Sequence, residues 1–584
     1  MKLQSSLTIQ RAGIMVITLI LVYFAFDWGP PSQLGYDVFG YYVYFHEFVF
    51  NGNLSIENLE HYETLNNTYN YTDSLYQFSN TGKGTFITRY PIGWTIFYGP
   101  FLLIGHLIAH VTDYPVDGMS YPYQLMVKIG AMVYAFLSLS LLAKILNHFL
   151  KKLQSLLVIL FVVFGTHYFH ITTVNSCMPH LLLFFLYTAL IYFTIKYHKE
   201  GRLYQMLLIG LTLGLMVITR PTELIAAIIP LFWNFKSWKS LLSTWLKKDY
   251  LYAALLFGVI VSIQLIFWKI TTGKFLFYSY QSAGEGLDLL HPHTWDFLFS
   301  FRKGLFVYTP ILLLSIVGLI YLFKQKKEFR WAVLLFMLFY TYVVSSWTNW
   351  WYAASFSSRG IFQGLALFII PMAIVAFKLK GVKKIVTIVF SFACVGLNLF
   401  QTWQIQNGIL DGAQMTKDYY FSVFGQTSMP TNEQKDLLLP HHDINTLDTS
   451  KYELYKVEKM QLDSIIGEMN PFYTVTSIPF TELDAKYPMI IECTMNAEYA
   501  DSSLLLPATD ITSFIVHNGK KYSYNATSLQ AEKQKLKAKL RFANSYVRNE
   551  RDKLGIEIWA RDGKNVYLKD FTYKIWRLKK QYQH

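Results

Sequence analysis

Charge is what this sequence has least of: Asp, Glu, Lys and Arg make up 15% of its 584 residues, against 53% hydrophobic residues. One soluble core is excluded, because single cores stop growing beyond about 250–300 residues and apolar surface in this excess needs a bilayer. Cysteine is almost lacking. The three present, Cys177, Cys394 and Cys493, form no Cys-x-x-Cys and have no His at ligand spacing, so neither a zinc site nor a disulfide framework is expected. There is no Walker A loop, no Gly-rich dinucleotide fingerprint and no Gly-x-Ser-x-Gly elbow, which removes the simplest support for nucleotide-driven transport and for serine hydrolysis.

What the chain does have is apolar stretches of about 14 to 20 residues, recurring from Gly13 to Trp403, the length that helices need to cross a ~30 Å hydrocarbon layer. The formal charge of +14 sits mostly in short runs between them, the pattern of a membrane-orientation signal rather than a nucleic-acid surface. Five basic clusters, Lys144–Lys152, Lys196–Arg202, Lys236–Lys248, Lys324–Arg330 and Lys378–Lys384, are each separated by two apolar segments, so all five can be cytoplasmic. Before the first cluster there are three apolar segments, 12–28, 92–111 and 125–143, and one must not cross. The segment 92–111 is the choice: Arg89-Tyr90-Pro91 precedes it, Gly99-Pro100 interrupts it, and His106 and His110 lie near its end. It is expected to be a juxtamembrane or re-entrant helix.

About eleven spans follow, with an uncleaved first span and external loops at about 29–124, 166–179, 219–222, 269–304 and 346–360. Residues 404–449 form an external linker. From about 450 the pattern shortens to alternating segments, among them Met489–Cys493, Leu554–Trp559 and Phe571–Ile575. Asn518-Gly519, between two β-prone runs within Phe514–Tyr522, is a strong hairpin signal. An all-β sandwich-like domain over 450–584 is expected, with Gln530–Leu540 readable as a helix or a polar strand.

Beyond the first span stands Gly35-Tyr36-Asp37-Val38-Phe39-Gly40. A carboxylate held at the membrane boundary among aromatic residues can act as general base on an acceptor hydroxyl, or can help to bind a divalent metal; a solvated loop Asp or helix cap is the plainer alternative. Asp37 precedes a juxtamembrane stretch and a polar excursion, after which Tyr90-Pro91-Ile92-Gly93-Trp94 restarts the apolar pattern. Phe301-Arg302-Lys303-Gly304 and Trp350 to Arg359 both fall at external span ends. There Arg302, Lys303 and Arg359 can snorkel at the interface or pair with a phosphate, and Arg220 in Thr219-Arg220-Pro221-Thr222-Glu223 can do the same or form a salt bridge with Glu223 or Asp37.

This order of elements resembles the GT-C class of membrane glycosyltransferases, including bacterial enzymes that use polyprenyl-phosphate sugars, such as aminoarabinose and galacturonic acid transferases, and the protein O-mannosyltransferases. The resemblance covers roughly 1–403 and not 404–584. It implies that the phosphate is lipid-linked, that Asp37 is the catalytic residue and that the Tyr-Pro-x-Gly at 90–93 is the juxtamembrane element, with Tyr90 an accessory. Some members have an acidic residue beside the catalytic Asp, where this chain has Val38, so binding of a metal by adjacent carboxylates is not supported. Glu47 and His180 are further accessory candidates; near His180 the family often has an acid, and here the nearest polar residue is Asn175.

The expected protein is therefore a multi-pass enzyme of the cytoplasmic (inner) membrane with its site and β domain outside. It would move a sugar from a polyprenyl-phosphate carrier to a glycan, lipid or protein acceptor, with no cofactor assigned and no nucleic-acid partner. A flippase of lipid-linked glycans and an oligosaccharide polymerase or ligase are the competing readings; the first suffers from the scarcity of ionisable residues within the apolar segments.

Overall fold

The computed structural model describes residues 2–72, 75–280, 286–435, 437–438, 450, 452–467, 470–483, 489–499, 509–517, 520–528, 530–532, 535–542, 552–560 and 565–579. Its N-terminal part is helical: α1 (Lys2–Trp28), α2 (Tyr36–His46), α3 (Gly93–His110), α4 (Tyr121–Leu146), α5 (Lys152–Gly165), α6 (Tyr168–Val174), α7 (Pro179–Glu200), α8 (Leu203–Thr219), α9 (Lys248–Thr272), α10 (Leu313–Lys324), α11 (Arg330–Ser345), α12 (Leu365–Lys378) and α13 (Val382–Gln406). Among the described residues five helices are long and apolar enough to cross a membrane: α1 (from Ser6), α4, α7, α9 and α13. The pair α5 and α6, bent by 65°, makes a sixth if it is one span. The bend falls at Thr166, whose extended backbone (φ −130°, ψ 172°) ends α5. Shorter apolar helices, among them α8, α10, α11 and α12, fall where further spans are expected from the sequence. The stretch 92–111 forms α3, with Pro100 inside it, and is not among the span-capable helices.

Small residues let these helices approach closely, as they do where lipid supplies no hydrophobic drive between helices. A Cβ on Gly210 of α8 would lie 2.3 Å from the Ala253 carbonyl oxygen of α9, and one on Gly318 of α10 would lie 2.0 Å from that of Pro371 in α12.

The C-terminal part is two antiparallel sheets. Their strands are β1 (Tyr452–Ile466), β2 (Phe472–Pro479), β3 (Met489–Tyr499), β4 (Thr509–His517), β5 (Lys520–Ser528), β6 (Gln530–Glu532), β7 (Lys535–Phe542), β8 (Lys553–Ala560) and β9 (Val566–Leu578). The orders are β2-β8-β4-β5 and β1-β9-β3-β7-β6. Alternation places Leu554, Ile556 and Ile558 of one sheet, and Phe571, Tyr573 and Ile575 of the other, in one core. Strands β4 and β5 pair as a hairpin down to His517 opposite Lys520; the turn Asn518-Gly519 lies outside the described residues. Gln530–Leu540 is strand where described, β7 pairing with β3 over Met489–Met495.

Gly318→Ala is expected to lower stability by roughly 1–3 kcal/mol, since the obstacle is backbone that cannot swing aside. Gly396→Ala in α13, where a Cβ meets nothing within 4 Å, is expected to be neutral or to add up to about 1 kcal/mol. Thermal unfolding of the two variants in the same detergent checks the contrast.

Candidate functional site: a carboxylate between two tyrosines and an arginine

Asp37 is set by the way α2 begins. Tyr36 takes the left-handed conformation (φ 51°) and its amide bonds the Tyr71 carbonyl at 2.9 Å. A Cβ on Gly35 would come within 2.9 Å of that same oxygen, so only glycine fits this crossing. Asp37 then falls in the first turn of α2, where the helix dipole favours a negative charge. Its Oδ1 accepts from the Tyr76 hydroxyl at 2.6 Å and the Tyr90 hydroxyl at 2.7 Å. Its Oδ2 faces Arg359 Nη2 at 3.6 Å, and the carboxylate side chain stays 28% exposed.

Tyr90 reaches Asp37 because Gly40, one turn further along α2, leaves room for its ring: a Cβ there would sit 2.4 Å from Tyr90 Cε2. The ring stacks on Tyr41 with centroids 4.3 Å apart. Burial first, and Asp37 next, push the Tyr90 and Tyr76 phenols above their ordinary range, so both remain donors. Tyr41 is likewise held up, by burial, Tyr280 and Asp37, against Arg220 and Arg359. Asp37, Tyr41, Arg220 and Arg359 thus share one electrostatic neighbourhood.

Arg359 is carried by a loop under backbone strain. Tyr352, Ala353 and Ser357 all have positive φ, between 53° and 59°; non-glycine residues in that region cost of order 1–3 kcal/mol each and cluster at functional sites. Besides the Nη2 that faces Asp37, Arg359 has a buried Nε with no hydrogen-bond partner among the described residues. Arg220, at the end of α8 before Pro221, lies 5.9 Å over the Tyr352 ring.

Arg302 and Lys303 lie one step behind this loop. Lys303 is 1% exposed, and its Nζ donates to the carbonyls of Ser355 and Gly412. Arg302 donates through Nε to the Ala413 carbonyl at 2.9 Å and lies 3.8 Å over the Trp351 ring. Burial pushes Arg302 down to about 9 and, with Arg302 and Arg359 adding to it, takes Lys303 well below its ordinary range. The cavity beside them has a volume of about 10 Å³, room for one water.

His180 is buried and bonds Gln363 Oε1 through Nδ1 at 2.9 Å. Gln363 donates in turn to Glu223 Oε1 at 3.1 Å, and Tyr187 donates to Glu223 Oε2 at 2.6 Å. With Gln363 committed as donor to Glu223, its oxygen takes the Nδ1 proton of His180. Glu47 belongs to another network, accepting from Tyr62 at 2.5 Å and Asn51 at 2.9 Å. Ten residues separate it from Asp37, about 15 Å along a helix axis. Among the described residues no group of three or more His, Cys, Asp or Glu is placed to hold a metal ion, and all three cysteines are free and buried.

Sequence reasoning missed Tyr76, Arg89 and Tyr280. Arg89 is buried 5.5 Å over the Tyr76 ring, and Tyr280 packs edge-on against Tyr90 at 6.4 Å. Ser79 and Ser279 lace these segments together, donating to the carbonyls of Ser279 and Arg89 at 2.6 and 2.8 Å. No motif marks Tyr76 within the polar excursion.

No family model matches this sequence, and no curated protein matches it. The structure is similar to the apo oligosaccharyltransferase of Archaeoglobus fulgidus, at 12% identity and TM-score 0.39, over 73% of this chain and 60% of that one. It is similar to apo ArnT from Cupriavidus metallidurans, at 9% identity and TM-score 0.41, over 65% of this chain and 62% of that one. A third likeness, to the arabinosyltransferase EmbB of Mycobacterium smegmatis, has 11% identity and TM-score 0.28, over 97% of this chain and 65% of that one. By name the first is an oligosaccharyltransferase and the third an arabinosyltransferase. The chain spans about 60% of the length of the first two, and at such identities and scores the likeness bears on no residue's role.

Ala353, exposed and left-handed, gives the loop's strain a direct measure. Ala353→Gly is expected to stabilise the protein by roughly 1 kcal/mol. Gly360→Ala, whose Cβ would meet the Tyr352 ring at 2.7 Å, is expected to destabilise it. Chemical denaturation of both variants checks the pair.

Proposed function

We propose that the chain is a glycosyltransferase that moves a sugar from a polyprenyl-phosphate carrier to an acceptor hydroxyl at the outer face of the cytoplasmic membrane, with inversion at the anomeric carbon. The observation that carries this reading is the arrangement at Asp37: one oxygen fixed by two tyrosine hydroxyls, the other facing the Arg359 guanidinium. In the accompanying topology eleven segments cross, α3 lies at the interface, and the loop bearing Asp37 and the β domain are external. The domains are those expected from the sequence: 1–403 in the membrane, a linker at 404–449, and 450–584 outside.

Tyr76 and Tyr90 hold Oδ1, which leaves Oδ2 to receive the acceptor proton. The acceptor oxygen bonds to the anomeric carbon as the bond from that carbon to the phosphate oxygen breaks, and the carrier departs with one additional negative charge. Arg359 is placed to take up that charge. Its remaining Nη hydrogens suit a grip on phosphate while Nη2 stays toward Asp37, and Arg220 adds a second cation. Arg302 and Lys303 support this by shaping the strained loop that presents Arg359. His180 and Glu47 serve as buried structural partners, the former beside Arg220 and Arg359.

The test is turnover of the full chain in proteoliposomes with polyprenyl-phosphate sugar. Asp37→Asn is expected to lower kcat by roughly 10²–10⁴-fold, the range that a positioned base contributes. Arg359→Lys, which keeps the charge and loses the fork, is expected to raise the donor KM more than Tyr76→Phe does. Full turnover by Asp37→Asn removes the base, and turnover with pyrophosphate-linked oligosaccharide alone makes the chain a ligase or polymerase instead.

A further inference from the structure

At the other end of the helical bundle lies a cavity of about 320 Å³ that the Asp37 site does not use. It is lined by Asn147, His148, Lys151, Gln154, Phe377 and Lys378 among others, where the turn between α4 and α5 meets the end of α12. Its distance from the site follows from α1. Gln10 of α1 pairs with Asn147 here, whereas Trp28, at the end of α1 that leads to Asp37, is 18 residues away, about 27 Å of helix.

The wall is prearranged. Gln10 and Asn147 exchange hydrogen bonds at 3.1 and 3.0 Å, Gln10 also donates to the Lys152 carbonyl, and the Gln154 side chain accepts from the Lys151 amide at 3.1 Å. Lys199 Nζ meets His148 Nδ1 at 2.9 Å. An ammonium group can only donate, so Nδ1 accepts and the ring proton is on Nε2, which is buried and has no partner among the described residues. Burial, Lys199 and Lys196 all lower His148 from its ordinary value, which keeps this neutral donor form. No carboxylate is among the lining residues. The acid carried nearby, Glu200, is already paired with Lys196 at 2.6 Å and Arg202 at 3.5 Å.

A cavity lined by two exposed lysines and by no carboxylate is built for an anion. Its volume exceeds what an isolated phosphate needs and falls in the range of small-ligand sites. Phe377 supplies an apolar wall at the end of an apolar helix, the depth at which a phospholipid head group meets its chains. We propose that this cavity is a binding site for the phosphate of an anionic phospholipid in the leaflet opposite to the Asp37 site. The shared chemistry, a phosphate oxyanion, also admits free inorganic phosphate, and the test separates the two.

The full chain is purified from nanodiscs made of equal parts phosphatidylglycerol and phosphatidylcholine, and the lipid it retains is weighed by native mass spectrometry, a readout independent of turnover. Wild type is expected to retain phosphatidylglycerol in preference to phosphatidylcholine. Lys151→Ala with Lys378→Ala is expected to cut that retention roughly ten-fold or more, as removal of two surface cations does. Lys380→Ala with Lys383→Ala, exposed lysines of the same face that do not line the cavity, is expected to leave it unchanged. Equal loss in both double variants would show diffuse attraction and overturn the site, as would no loss in the first. If millimolar inorganic phosphate raises the melting temperature of delipidated wild type, not of the first double variant, and no lipid is retained, the ligand is a soluble anion and the lipid assignment fails.

Discussion

Two loops far apart in the chain meet where Arg359 approaches Asp37 at 3.6 Å, and the shape of everything around them serves that approach. Neither side chain gets there by a regular element alone. Asp37 depends on the left-handed Tyr36 and on a glycine at 35 that tolerates the Tyr71 carbonyl. Arg359 depends on three more left-handed residues, and Lys303, hidden beneath them, holds two backbone carbonyls of the surrounding turns. A buried ammonium bonded to carbonyls is expensive to desolvate, and the structure accepts it where a rigid loop is needed.

The aromatic residues, 17% of the chain, have a comparable division of labour. Some anchor the first loop by packing, as in the Phe39–Tyr71 stack at 3.9 Å, with the Tyr71 hydroxyl satisfied by the Tyr62 carbonyl at 2.6 Å. Others lend their hydroxyls to the site, as Tyr76 and Tyr90 do. Composition cannot separate the two uses, because the distinction lies in which oxygen each hydroxyl reaches.

Much of the architecture was legible before any coordinates. Basic runs and apolar lengths marked the helices, Pro100 and two histidines singled out 92–111, and period-two alternation marked the strands. Gln530–Leu540 reads as helix or strand because its lysines suit either; long-range pairing with β3 makes its described residues strand, and Lys535, Lys537 and Lys539 alternate with Leu536, Ala538 and Leu540 accordingly. At the site, Asp37 stands out by its place beyond the first span and Arg359 by its place at an external span end, whereas Tyr90 stands out through the resemblance of its Tyr-Pro-x-Gly to the family's juxtamembrane element. Tyr76 does not, because it arrives through the fold of a polar excursion. Direction was also hidden: Arg302 and Lys303 occupy the expected boundary, but the sequence is silent on whether a cation there turns outward or spends its protons on carbonyls.

The reciprocal amide pair between Gln10 and Asn147 spans 137 residues of chain, and it has a bearing on assembly. At ribosomal rates of about 5–20 residues per second, α1 enters the membrane roughly ten seconds before its partner is made. During that interval Gln10 lacks both Asn147 and the Lys152 carbonyl, its partners in the folded protein. Its lock closes only when the end of α4 emerges.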